Sequence, residues 1–66
     1  MEKIIFKNLE DNTQGEVFFH SAEGHRGWGA CLRDLDTNEI VGFLKIFPES
    51  NIADAIAFAK KCAEGV

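Results

Sequence analysis

Residues Ile40–Phe47 read IVGFLKIF, and this stretch decides the fold. Side chains alternate across a strand, so Ile40, Leu44 and Ile46 point one way while Val41, Phe43 and Phe47 point the other. Both faces are therefore apolar. The rest of the chain offers a single amphipathic helix, which can bury one face of a sheet and leaves the second bare. The expectation is a small α+β domain that wants a partner.

Working outward, Trp28–Leu35 reads as the preceding strand. It is joined to Ile40–Phe47 by Asp36-Thr37-Asn38-Glu39, residue types that bond their own backbone in turns. Lys3–Leu9 and Glu16–His20 supply two earlier strands, separated by the turn-forming run Glu10–Gly15. Ser21–Gly27 reads as a polar loop with two glycines. Pro48 ends the fourth strand because it cannot donate to a ladder. Ser50 or Asn51 can cap a helix over Ile52–Glu64, with Asp54 in its first turn and Lys60 and Lys61 in its last turns, as the helix dipole favours. At about 100° per residue, Ile52, Ala55, Ile56, Phe58, Ala59, Cys62 and Ala63 share one arc, and Asp54, Lys60, Lys61 and Glu64 lie opposite. The fold class expected is α+β: a four-stranded antiparallel meander followed by one C-terminal α-helix packed on one face, as a single domain over 1–66.

A turn closed at Thr37-Asn38 pairs Leu35 with Ile40, Arg33 with Gly42, Cys31 with Leu44 and Gly29 with Ile46. One face then carries Leu35, Arg33, Cys31, Gly29, Ile40, Gly42, Leu44 and Ile46. The other carries Trp28, Ala30, Leu32, Asp34, Val41, Phe43, Lys45 and Phe47. The aliphatic, glycine-notched face suits the helix, and Cys31 would meet Cys62 there. The aromatic face is expected to stay open, with Trp28, Leu32, Val41, Phe43, Lys45 and Phe47 as the partner-binding residues.

The 66 residues carry 45% hydrophobic side chains, enough for a globular chain but near the lower size limit for folding alone. No apolar run is long enough to span a bilayer, and the N-terminal MEKIIFKNLEDN lacks the pattern of a signal peptide. A cytoplasmic location with reduced thiols is expected. The net charge of −4 comes from eleven acids and seven scattered bases, which weighs against nucleic-acid binding.

Chemical signatures are sparse. Gly24-His25-Arg26-Gly27-Trp28-Gly29 could let backbone approach a ligand, with His25, Arg26 and Gly27 as a ligand or anion loop. It lacks the Gly-Lys-Ser/Thr ending and the following helix of a phosphate loop. His20, His25, Cys31 and Cys62 do not have the spacing of a zinc site. No nucleophile, base and orienting group assemble, so neither enzyme activity nor a cofactor or metal is expected. Glu10-Asp11 and Asp34, Asp36 and Glu39 read as solvated turn acids.

Two functions compete on these residues. The first is a small non-enzymatic protein-interaction module, a homodimer that acts as a regulator or inhibitor by docking on a larger protein. The second is single-stranded nucleic-acid binding. Strands followed by one helix resemble, in plan, the Pur-alpha-like and Whirly-like single-stranded DNA binders. That likeness implies base stacking on Trp28, Phe43 and Phe47 and phosphate contacts from Arg26, Arg33 and Lys45, although no signature motif of those families is present.

Overall fold

The computed structural model describes residues 3–64, apart from the side chain of Phe43. Four strands, β1 (Lys3–Asn8), β2 (Thr13–Ala22), β3 (His25–Asp34) and β4 (Glu39–Pro48), are followed by one helix, α1 (Ile52–Glu64). The sheet is an antiparallel meander in the order β1-β2-β3-β4. The expected α+β class and element order are both present.

The strands run further into the turns than the sequence suggests. Glu23-Gly24 alone joins β2 to β3, since Ala22 already pairs with His25. Gly24 takes the left-handed conformation that so tight a connection needs (φ +71°). Ser21–Gly27 is therefore not a loop, and β3 begins at His25. Likewise β2 begins at Thr13, after Asn12 has turned the chain with a positive φ. Pro48 is the last residue of β4 rather than the first beyond it, a position open to proline on an edge strand.

Register between β3 and β4 agrees with the sequence at one end and departs from it at the other. Gly29 pairs with Ile46 as expected, but Arg33 pairs with Ile40 and Asp34 with Glu39. The loop is four residues, Leu35–Asn38, and two extra residues of β4 are absorbed where the register shifts between Ala30 and Leu32. Gly42 permits this with a φ of +80°. Two residues preserve the alternation, so Trp28, Ala30, Leu32, Val41, Lys45 and Phe47 share one face, and Gly29, Arg33, Ile40 and Ile46 the other, as assigned.

The helix lies on the other face from the one expected. Val17, Ala30, Ala55 and Ala59 form the core, with Phe6, Trp28, Phe47, Ile56 and Phe58 packed around them. The Phe47 and Phe58 rings are 5.7 Å apart. The reason is shape. The inner ridge of α1 is Ala55, Ala59 and Ala63, and it needs a sheet that is low in the middle and walled at the sides. Gly15, Val17 and Ala30 make the floor, and Gly15 is so close beneath α1 that a Cβ there would strike the Ala59 carbonyl. Phe6, Trp28 and Phe47 make the walls. The glycine notch on the opposite face is already filled, because the Phe18 ring lies against Gly29 across the β2–β3 pair.

Asn51 begins the helix, its carbonyl accepting from the Asp54 and Ala55 amides at 3.1 and 3.2 Å. The far end is tied to the sheet by Asn8 Nδ2, which donates to the Ala63 carbonyl at 2.6 Å. Thirteen helical residues span only about 20 Å, against about 33 Å for a ten-residue strand. The helix thus covers part of one face and none of the other.

Candidate functional site

The face away from α1 is organised in rows across the strands. Lys3, Phe18, Gly29 and Ile46 form one row, and Lys7, Gln14, Arg33 and Ile40 another. Between them lie Ile5, Glu16 and Cys31, with Leu44 in the bulge beside Cys31. Ile5, Ile40, Leu44 and Ile46 are 44%, 40%, 36% and 46% exposed. Among the described residues, α1 does not reach these aliphatics.

At the centre of this face is a buried carboxylate. Glu16 is 1% exposed, yet it lies on the face that α1 does not reach. Side chains from three strands close over it. Gln14 Nε2 and Arg33 Nε donate to Oε2 at 2.6 and 3.0 Å, and Lys3 Nζ stands 3.5 Å from Oε1. Arg33 is fixed from its other side by Nη1 donating to the Asn38 carbonyl at 2.8 Å. Burial pushes the Glu16 carboxyl up. The hydrogen bonds from Gln14 and Arg33 and the charges of Lys3 and Arg33 together outweigh it, holding the group below the ordinary carboxylate range. Glu16 is thus an ion in a satisfied network, with no proton held for chemistry.

Cys31 sits beside it, fully buried. Burial raises its thiol pKa and the Glu16 charge raises it further, against weaker opposing pulls from Arg33 and Lys3. A neutral buried thiol is a poor nucleophile. The expected contact with Cys62 fails for a simple reason: Cys62 belongs to α1, and Cys31 faces away from it. Both are free cysteines, and Cys62 is partly exposed. In the native protein a disulfide reagent such as DTNB is expected to modify Cys62 rapidly and Cys31 only on unfolding. Peptide mass mapping of the labelled chain reads this directly, and equal labelling rates would contradict the burial of Cys31.

The expected partner-binding residues are placed differently. Trp28 and Phe47 wall the helix groove, and Trp28 Nε1 donates to the Glu49 carbonyl at 2.9 Å. Lys45 lies over the Phe47 and Phe58 rings, 5.2 and 5.6 Å from their centroids. Leu32 and Val41 pair at the far end of this same face, with Val41 47% exposed. The side chain of Phe43 lies outside the described residues. Trp28 and Phe47 are thus half-buried against α1, where a fully open aromatic platform was expected. The cations assigned to phosphates are occupied too: Arg33 by Glu16, and Arg26 by Glu49 at 3.1 Å and by the Phe19 ring.

The ligand loop dissolves in the same way. His25, Arg26 and Gly27 are ladder residues of β3, paired with Ala22, Ser21 and His20. Among the described residues, no three of His, Cys, Asp and Glu come together as a metal site would require. No helix among the described residues is long and apolar enough to cross a membrane. A groove of about 620 Å³ between the ends of β1 and α1, lined by Phe6, Leu9, Lys60, Ala63 and Glu64, is open to solvent and assembles no catalytic group. Sequence reading missed the Glu16 network. The available signal was an acid on β2 whose face neighbours were Lys3, Gln14 and Arg33. Compared with models of known protein families, with curated proteins and with solved structures, the chain finds no significant match.

Proposed function

We propose that the chain is a non-enzymatic protein-interaction module that works as a homodimer through the face opposite α1, and that it regulates or inhibits a larger protein by docking on it. One observation supports this above the others. Among the described residues, the fully buried apolar side chains larger than alanine are Val17 and Cys31, while Ile5, Ile40, Leu44 and Ile46 are exposed on one face. A core of this size gives a domain of 66 residues little margin. Covering the exposed aliphatics would supply what is missing, at about 25 cal/mol per Å² of apolar surface. A second copy is the occupant always available in equal amount, and two-fold pairing is the commonest arrangement.

Charge supports the docking half. Lys3, Lys7 and Arg33 against Glu16 leave the open face two positive charges, whereas the chain as a whole carries −4. The remaining surface therefore holds six negative charges in excess, which suits a basic target. Two free thiols, one fully buried, fit a reducing cytoplasmic setting.

Thermal unfolding followed by circular dichroism tests the homodimer. A dimer whose dissociation accompanies unfolding melts at a higher temperature as protein concentration rises. We expect Tm to climb by several degrees between low and high micromolar chain. A Tm independent of concentration across that range would refute it.

A further inference from the structure

We infer that the outer edge of β1 accepts an extended segment of a partner protein as an added strand, and that this segment carries an acidic residue at each end of an apolar triplet. The site is the edge of the sheet and does not depend on the open-face dimer.

The two edges of the sheet differ. On β4 the ladder shifts register between Ala30 and Leu32, Gly42 turns with a φ of +80°, and Pro48 closes the strand. Such features guard an edge against strand addition. β1 has none of them. Its six residues pair with β2 without a break, from Lys3 with Phe18 to Asn8 with Thr13. In such a ladder alternate residues turn their N–H and C=O groups away from the neighbouring strand. Among the described residues, no strand pairs with β1 on that outer side.

The side chains flanking this backbone select the occupant. Lys3, Ile5 and Lys7 stand on the open face, with Ile4 and Phe6 on the α1 face. Lys7 makes no ion pair among the described residues, and Lys3 is half-exposed beside Glu16. Edge lysines are a usual bar to sheets joining edge to edge. Two β1 strands paired antiparallel about Ile5 would set lysine against lysine at both ends, so a second copy is rejected. A strand with acids beside Lys3 and Lys7 meets attraction at the same two positions.

Between the acids the occupant is apolar. One residue lies beside Ile5, and its neighbours lie beside Ile4 and Phe6 on the α1 side. There the groove of about 620 Å³ opens, lined by β1, the turn after it and α1, with no β2 residue. It therefore lies off the outer edge. Its four charged side chains, Lys7, Glu10, Lys60 and Glu64, balance, while Phe6, Leu9 and Ala63 supply apolar wall. Leu9 is largely exposed there. The groove thus takes an apolar side chain from the added strand. Backbone hydrogen bonds supply affinity in this mode of recognition, and pockets for alternate side chains supply specificity.

Amide NMR titration of the isotope-labelled full chain with capped synthetic peptides tests this. The probes are Glu-Val-Leu-Val-Glu flanked by threonines, the same peptide with lysine for both glutamates, and two forms of the first N-methylated on opposite sets of alternate residues. The glutamate peptide should shift the amides of β1 and Leu9 and bind roughly tenfold more tightly than the lysine peptide. Lys7→Glu should weaken it by roughly fivefold, and the spectrum of that variant verifies its fold. One N-methylated form should bind and the other should not, because only alternate peptide N–H groups face β1. That comparison leaves the protein unaltered should Lys7→Glu fail to fold. The proposal is overturned if the glutamate peptide does not bind at millimolar concentration, or if its shifts are confined to β3 and β4. Equal binding of the glutamate and lysine peptides, or N-methylated forms that behave alike, would overturn it as well.

Discussion

Replacing Gly15 by alanine will lower the stability of the protein by about 3 kcal/mol, the upper part of the range for forcing extra volume into a packed core. The cause is local and rigid. A Cβ at Gly15 points into the carbonyl group of Ala59, which is backbone, and behind it lies the Ala63 methyl. Neither side can yield cheaply, because α1 is held at that end by the bond from Asn8 to the Ala63 carbonyl. The methyl group must lift the helix, and the Ala55, Ala59 and Ala63 ridge then loses its floor. Against a total stability of roughly 3–10 kcal/mol for a chain of this length, that loss is large. It corresponds to a Tm lower by about 15 °C in a domain of this size. Gly24→Asn provides the contrast. A Cβ at Gly24 meets nothing, and asparagine tolerates a positive φ, so that variant should melt within a few degrees of the parent. If Gly15→Ala were equally mild, the helix would not lie on the Gly15 face.

Removal of Arg33 should be nearly as damaging and, unlike the glycine change, sensitive to pH. Glu16 has only 2% of its side chain exposed, and Arg33 is its least solvated cationic partner, with 23% exposed. Lys3 is more distant at 3.5 Å and about half exposed, so it replaces little of what is lost. Breaking a buried ion pair from one side leaves an uncompensated charge, which typically costs 3–5 kcal/mol. With Gln14 and Lys3 retained, we expect about 3 kcal/mol for Arg33→Ala at pH 7.

The sign of the pH effect follows from the carboxyl. In the parent protein Glu16 is held below its ordinary range, so its contribution is present above that range. It is lost as pH falls through the depressed folded value. In Arg33→Ala the hydrogen bond and charge of Arg33 no longer hold the carboxyl down, and it moves up from its value in the parent. Protonation then penalises the variant less than the parent. The Tm gap between them should therefore narrow from pH 7 to pH 4. A gap unchanged over that interval would show that the Glu16–Arg33 pair is not what the substitution disturbs.

Much of this architecture could be read from the chain, and the failures have identifiable causes. The four strands, the helix and the two-sided character of IVGFLKIF follow from alternation and from the alanine-rich arc of Ile52–Glu64, signals that tertiary packing rarely overrides. The faces of the paired residues of β3 and β4 follow from the sequence despite a shorter expected loop, because the bulge at Gly42 adds two residues and two preserves parity. Leu35 lies in the loop instead, and the Phe43 side chain lies outside the described residues. What misled was β2. Thr13, Gln14 and Gly15 read as turn residues, so Gly15 was not available to show that the low ground for an alanine ridge lies on the Trp28 side. Gly29 looked like a notch for the helix, but a cross-strand neighbour, Phe18, occupies it. The burial of Glu16 was not legible for a related reason. Lys3, Gln14 and Arg33 come from three strands, and only their register brings them over one carboxylate. The consequence for function is a change of surface: the aromatic residues stabilise the fold, and the aliphatic face is the one left for association.

Sedimentation equilibrium of the chain at tens of micromolar tests that association most directly. The account predicts a species of twice the 7.3 kDa chain mass that reverts toward a single chain on dilution. A stably folded species of one chain mass at every concentration would contradict it.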